Sequence, residues 1–360
     1  MIRCTVRAVV AAAAISAFSW VVRGAEERVP RYAFQVGQEL SYRMDWTNTT
    51  KTKSGPRTDF DRHEIKIWVE RQNTDGSFHL IFCDDVADTQ TRGQKTTELS
   101  PEHNLVRADV FDDGRQLPCY PTNFGAMSAY AFPPLPKSAR EVKAAWTESA
   151  QGFRFESKVS NNPAGFAFDA KVFSPFYGVL ADDHVSHYVF DAAGDFVAQT
   201  DETITCRGKY NMVGHGGLKL LVNRMISEAA LKNLTTNADA YFSAMSVYDQ
   251  QIEAAVKAGH PSADKLLASA GTNLKSAVEQ LTDPIFQSSA KELLDHHGET
   301  TQYAMKRIKL LDDRIGKPAF AFTTTDLDGN VVRLAESTSM GRFVISKTGT
   351  EPISGRNWEN

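Results

Sequence analysis

Cysteine is scarce in this chain and badly spaced for redox work. Its 360 residues hold four cysteines, Cys4, Cys83, Cys119 and Cys206, and none follows Cys206. A dithiol enzyme attacks with one thiolate and resolves the mixed disulfide with a close second thiol. No such pair exists here, so no dithiol catalysis is expected. Clustered Lys and Arg are also missing, and the formal charge is -4 at pH 7, which excludes the electrostatic footprint of a nucleic-acid partner. There is no Gly-x-Ser-x-Gly elbow and no His-Glu-x-x-His zinc helix. The long apolar run, Ala8 to Val22, falls short of the roughly 20 residues of a membrane span.

What is present reads as ordinary globular material, 42% hydrophobic and 23% charged, long enough for two or three domains. Arg3 and Arg7, the apolar run, small Val22 and Gly24 and then polar Ala25-Glu26-Glu27-Arg28 lay out a secretory signal peptide over residues 1–24. An uncleaved anchor is the alternative. Cys4 precedes the apolar run and so cannot carry a lipid on a mature first residue. The expected location is exported, in the periplasm or cell envelope, with no stable membrane span after cleavage. Export permits disulfides, and the three remaining cysteines allow one bridge and a free thiol, or three buried thiols.

Residues 25–213 predict an antiparallel β-rich domain. Glu64 to Glu70 alternates apolar and polar side chains, Asn73-Thr74-Asp75-Gly76 turns, and Phe78 to Phe82 returns. The pattern repeats around Asp112-Asp113-Gly114, around Asn161-Asn162-Pro163-Ala164-Gly165 and around Ala192-Ala193-Gly194-Asp195, which predicts a meander with one covered face. Pro133, Pro134 and Pro136 predict an interrupting loop. Gly214-His215-Gly216-Gly217 reads as a hinge into a helical connector over residues 214–315, since its spacing fits neither the dinucleotide nor the P-loop fingerprint. Asn237, Ser262 and Asp283-Pro284 are the expected helix starts. A last helix carries Ile285, Leu293, Leu294, Tyr303, Ala304, Ile308, Leu311 and Ile315, ended by Gly316 and Pro318.

Candidate chemistry is sparse. Asp182-Asp183-His184 with His187 offers oxygen and nitrogen donors to a hard or borderline metal, but the block also reads as a solvated acidic turn, which is the preferred reading. Adjacent His296 and His297 point about 100 degrees apart on a helix and do not share an ion easily. Asp84-Asp85 and Asp112-Asp113 are paired carboxylates of the kind used in acid-base chemistry, with nothing to bring them together. Phe153, Phe155, Phe166, Phe168, Phe173 and Phe176 either fill the domain's own core or line a curved sheet that cradles a lipid or apolar peptide. No catalytic, cofactor-binding or metal residue is assigned, and no cofactor is implied.

The C-terminal residues 316–360 carry a resemblance. Gly316-Lys317-Pro318-Ala319, Phe322, Thr325-Asp326-Leu327-Asp328-Gly329-Asn330, Val332 and Leu334 resemble the lead-in of thioredoxin-like envelope proteins of the TlpA and ResA type and of their peroxiredoxin relatives. The resemblance implies a β-hairpin turning at Asp328-Gly329-Asn330, followed by a first buried strand at Gly341-Arg342-Phe343-Val344-Ile345. It departs at Phe320, where the family has proline, and fails after Ile345, where Cys-x-x-Cys would come near Ile353 and Arg356. The remnant is therefore expected to be truncated. The whole reads as an α+β protein with a β-rich domain, a helical connector and a partial thioredoxin-like hairpin and strand. Its expected role is that of a non-catalytic binding or scaffold protein whose partner is an unknown envelope protein or apolar ligand; the alternatives are a thiol-disulfide oxidoreductase or peroxiredoxin-like antioxidant protein whose catalytic part is lost or encoded downstream, and a β-cradle carrier for a lipid or apolar peptide.

Overall fold

The computed structural model describes residues 29–53, 55–92, 95–99, 102–117, 130–150, 152–162, 165–173, 183–206, 211–312, 322–325 and 331–334. The expected signal peptide, Cys119 and the Gly341 to Ile345 strand lie outside them.

The dominant element is one antiparallel sheet of eleven strands. Three long strands open it, β1 (Gln38–Thr52), β2 (Gly55–Gln72) and β3 (Phe78–Arg92), followed by β4 (Lys95–Glu98) and β5 (Glu102–Val110), which both pair with β3. A one-turn helix α1 (Ala139–Lys143) leads into a second meander of β6 (Trp146–Ala150), β7 (Phe153–Val159), β8 (Ala167–Phe173), β9 (Asp183–Phe190), β10 (Val197–Cys206) and β11 (Met212–Met225). The two meanders join where β11 pairs with β1 along nearly its whole length. The predicted turns form as expected: Gly76, Gly114, Gly165 and Gly194 all have positive φ, the conformation that glycine adopts at least cost.

Alternation along the strands sorts side chains by face. Leu40, Tyr42, Ile65, Ile67, Phe82, Val106, Phe155, Phe168 and Tyr188 share one core, and that core runs from β5 at one edge to Trp146 of β6 at the other. A sheet whose two outer strands contribute to a single cluster is curled, and this inner face is its concave side.

Part of the convex side is covered by helices. Helix α2 (Glu228–Ala258) is capped by Ser227, whose hydroxyl accepts the Ala230 N–H. Its residues Leu234, Ala238, Tyr241 and Phe242, one helical face, pack with Phe286 and Ala290 of α4 (Pro284–Asp295) onto Trp68, Ile81, Cys83 and Leu105. Between them runs α3 (Ser262–Gln280), and α5 (His297–Asp312) follows. No helix among the described residues is long and apolar enough to cross a membrane. A two-stranded hairpin, β12 (Phe322–Thr325) with β13 (Val331–Leu334), lies in the C-terminal segment.

Three expectations change. The Gly214 to Gly217 hinge is the middle of strand β11, so the helical part begins at Glu228 rather than at residue 214. The glycines serve close packing: a Cβ on Gly217 would sit 2.2 Å from the Thr200 carbonyl oxygen, and one on Gly216 would sit 2.4 Å from Trp46. Asn237 is not a helix start but a mid-helix clamp, its Oδ1 accepting the N–H groups of Thr282 and Asp283. The asparagine thus holds the turn that leads into the neighbouring helix. Asp283 and Pro284 do start a helix, with the Asp283 side chain accepting the Ile285 N–H. The single last helix is two, broken at His296. Pro133, Pro134 and Pro136 do form the expected interrupting loop, and it is a buried one, packed in with Phe132 and Leu135.

Because Gly217 faces a backbone oxygen that has no freedom to retreat, Gly217→Ala is expected to destabilise the protein by about 1–3 kcal/mol. Denaturant unfolding of the variant, read against the same change at exposed Gly298, which has open space around it, checks this.

Candidate functional site

The concave face carries the unusual chemistry of the molecule. Its deep part is aromatic. Phe132, at the centre of the buried 130–136 segment, meets Tyr32, Phe34 and Phe82 with ring centroids 5.2, 5.0 and 6.1 Å apart, two of the pairs near-perpendicular and the third close to it. Tyr32 in turn stacks on Phe190 at 5.9 Å. The segment therefore lies across the trough as a strap, bridging the two halves of the sheet. Side chains and backbone pin it: the Tyr32 hydroxyl donates to the Pro133 carbonyl, the Trp146 indole N–H to Pro134 and Arg31 to Pro136, while the Leu135 N–H donates to Asp113. Prolines have no N–H to leave unsatisfied, which suits a strap fixed mainly through carbonyls.

Of the phenylalanines proposed to line a cradle, Phe153, Phe155 and Phe168 are buried on this face and Phe166 packs at its rim against Phe190. Phe173 instead lies under Arg154, whose guanidinium carbon is 4.1 Å from the ring centre. Phe176 lies outside the described residues.

The trough turns polar along the strands. Register places Asp88, Asp61, Trp46, Gly216, Glu202 and Ser186 in one row across six strands, from β3 to β9. Glu202 is 2% exposed; its carboxylate accepts the Thr200 hydroxyl at 3.2 Å and meets His184 Nε2 at 3.4 Å. Three buried polar atoms on this face, Tyr42 Oη, Ser157 Oγ and His184 Nδ1, have no hydrogen-bond partner among the described residues, and the Ser186 and Tyr188 hydroxyls have at most each other. Burial pushes the Tyr188 hydroxyl well above its ordinary value, with Glu202 adding to the rise and Ser186 partly offsetting it. The set contains a carboxylate, a histidine and serines, the residue types of a nucleophilic relay. No relay forms, because His184 Nδ1 meets no hydroxyl.

The other sequence candidates fall apart in space. His184 faces inward while His187, three residues on, faces outward to Asp169 at 2.6 Å, so the Asp182 to His187 block cannot close on one ion; Asp182 lies outside the described residues. No group of three potential metal ligands exists among the described residues. His296 donates from Nδ1 to the Glu292 carbonyl and His297 meets the Tyr248 hydroxyl. Asp84 bonds His63 on the inner face and Asp85 bonds His103 on the outer, while Asp112 and Asp113 pair with Arg31 and Arg115. Cys83 and Cys206 are both buried, and burial followed by the Asp85 charge drives the Cys83 thiol far above its ordinary range. That is the opposite of an activated thiolate.

The residues that sequence reading passed over are Trp46, Asp61, Thr200 and Glu202. Strand β10 reads Val-Ala-Gln-Thr-Asp-Glu-Thr-Ile-Thr-Cys, polar on both alternating sets around Thr200 to Glu202, so periodicity gives no sign that one set is buried.

Burial and the neighbouring Asp88 push the Asp61 carboxyl from 3.8 up to about 6. An acid raised on folding holds its proton more tightly in the native state, so its stabilising contribution is complete below about pH 4 and is lost as the pH rises to about 6. Asp61→Asn is accordingly expected to match the parent at pH 4 and to exceed it in stability at pH 7.5. Paired denaturant titrations at the two pH values measure this, and a difference that stays constant with pH contradicts it.

No protein-family model and no curated protein matches this chain. Among solved structures, lipovitellin, described for its lipid–protein interactions, aligns over 76% of this chain and 36% of its own, at 12% identity and a TM-score of 0.37. This chain thus spans about a third of that protein's length. A Vibrio parahaemolyticus domain described in terms of outer membrane lipoprotein sorting aligns over 55% of this chain and 91% of its own, at 10% identity and a TM-score of 0.17. Likenesses of this size leave the architecture to be described by its own topology.

Proposed function

We propose that this chain is an exported, non-catalytic carrier that holds an apolar or amphiphilic ligand against the concave face of its sheet. One observation carries the reading: the buried Tyr42 Oη, Ser157 Oγ and His184 Nδ1 on that face lack hydrogen-bond partners among the described residues. Each such atom costs about 1–3 kcal/mol when left unsatisfied, a burden that a purely structural core sheds by using Leu or Phe in the same places. Partners supplied from outside, by a ligand or by bound water, remove the cost. The strap supports the same reading, since Phe132 and Leu135 already occupy the trough as an apolar guest would. The signal sequence expected at residues 1–24 supports an envelope location. The pairing of β12 with β13 is in keeping with the resemblance to thioredoxin-like proteins, and the burial that raises the Cys83 thiol supports a role without dithiol chemistry.

Titration of the mature protein with a fluorescent fatty-acid analogue is expected to show saturable binding of about one probe per chain. Ala170, 1% exposed on the inner face of β8, is a place to block the trough: Ala170→Phe is expected to abolish binding while the circular dichroism spectrum keeps its β signal. Phe132→Ala empties part of the trough, and at a stability cost of about 3–5 kcal/mol it is expected to tighten probe binding several-fold. A parent protein that takes up no probe, with a Phe132→Ala variant that folds and takes up none either, defeats the carrier reading.

A further inference from the structure

The end of the sheet away from the turns at Gly76 and Gly194 is charged unevenly. Pairing of β2 with β3 brings two hairpins side by side, one joining β1 to β2 and the other β3 to β4. Register sets Thr50, Arg57, Arg92 and Lys95 in one row across these four strands, with Lys51 next along β1 and Lys53 in the turn beyond. The row before it is Thr49, Thr58, Thr91 and Thr96. From that threonine row outward to Lys53, the described residues of the four strands hold five bases and no acid. A chain of formal charge -4 thus has one end of the opposite sign. The grouping does not show along the sequence, because neither hairpin holds more than three of the bases.

Ion pairing leaves most of this charge in place. Arg57 is held by Asp59 at 2.8 Å, whereas Lys51, Lys53, Arg92 and Lys95 are exposed and join no ion pair among the described residues. The other acids of this region stand to the side or further up the strands: Glu98 opposite Thr89, Asp61 and Asp88 in the row of Trp46, and Asp183 at the start of β9, three strands from β1. Helix α4 meets the sheet at His103, whose N–H donates to Glu292. His103 is level with Arg43 through Asp85 and Glu64, seven residues short of Thr50 on β1, or about 23 Å at the rise of a strand. The bases therefore project from the sheet well clear of that helix. Val213, paired with Thr49, adds an exposed apolar side chain at the same end.

Exposed cations spread over two hairpin tips suit a partner that presents many anions on a plane rather than one anion in a pocket. We propose that this end docks on the anionic headgroup surface of a lipid bilayer, where the trough exchanges its apolar ligand with the membrane. The inference rests on the carrier reading for its choice of partner, because an apolar ligand is drawn from lipid and returned to it. Each exposed base near an anionic leaflet strengthens attachment roughly fivefold, and salt screens the effect.

Sedimentation of the mature protein with vesicles tests this, using phosphatidylcholine alone and phosphatidylcholine mixed with an equal part of phosphatidylglycerol. The mixed vesicles are expected to bind at least about tenfold more tightly at low salt, and the preference to vanish at high salt. Combining Lys51→Ala, Lys53→Ala, Arg92→Ala and Lys95→Ala is expected to abolish it. Combining Lys257→Ala, Lys265→Ala, Lys275→Ala and Lys306→Ala, at four exposed helix positions, removes the same charge elsewhere and is expected to retain it. Both variants are expected to take up the fluorescent fatty-acid analogue as the parent does. An absent preference, an equal loss in both variants, or retention on heparin without binding to vesicles overturns the docking inference, and uptake of the analogue by the same preparations leaves the carrier standing. Docking that needs the four bases, by a protein that takes up no analogue, overturns the carrier and leaves the docking surface.

Discussion

The concave face exists because β1 pairs with β11. The pairing runs from Gln38 with Met225 to Thr50 with Met212, and it alone fuses a meander of β1 to β5 with a meander of β6 to β11. Without it each half would present an unpaired edge and half of a core. Closing a loop as long as the stretch from Thr52 to Met212 costs on the order of 4–5 kcal/mol in chain entropy. The cost is repaid by the aromatic cluster that the closed sheet encloses, where a fully buried Phe or Tyr contributes about 1.5–3 kcal/mol. The strap shares in that repayment, since Phe132 touches Phe82 of one half and Tyr32, which stacks on Phe190 of the other.

Two compromises accompany the junction. The β10 and β11 ladder has no paired residues between Gln199 with Lys219 and Glu202 with Gly216. There the Thr200 hydroxyl accepts the Leu218 N–H at 2.8 Å in place of a backbone carbonyl. The same hydroxyl donates to Glu202, so the irregularity in the sheet and the buried acid belong to one arrangement. Gly217 is required at this point by the Thr200 carbonyl, and Gly214 and Gly216 by Trp46. A cluster that looks like a flexible joint is the most crowded stretch of the strand.

What was legible in the sequence was local. The hairpins at Gly76, Gly114, Gly165 and Gly194 announce themselves because tight turns need a residue tolerant of positive φ, and Asp283-Pro284 announces a helix because proline fits its first turn. The partnership of β1 with β11 has no such mark, because contacts between distant strands depend on the rest of the fold. Asn237 misleads for a related reason: its side chain accepts backbone N–H groups as a cap does, but from the turn before another helix rather than from its own. The Phe-rich strands show inner-face aromatics at Phe153, Phe155 and Phe168 yet give no hint of the strap that lies over them, since Pro133-Pro134 has the composition of an exposed loop. The site itself was least legible, because Thr200 and Glu202 sit in a strand whose exposed side is just as polar.

A core made of Tyr42, Tyr188, Ser157, Ser186, His184 and Glu202 is a poor choice for stability. Burying an ionisable acid at 2% exposure with one long bond to histidine forfeits solvation that an apolar residue would never need. The apolar half of the same trough shows that this chain has the alternative to hand, with Ile67, Phe155 and Phe168 filling equivalent inward positions at no exposure. Aromatic side chains gather where the hairpin turns at Gly76 and Gly194 close the sheet, but the polar row of Ser186 and Glu202 continues to Ser157 on β7, with Phe155 the next inward residue beyond it, so polar and apolar positions interleave on this face.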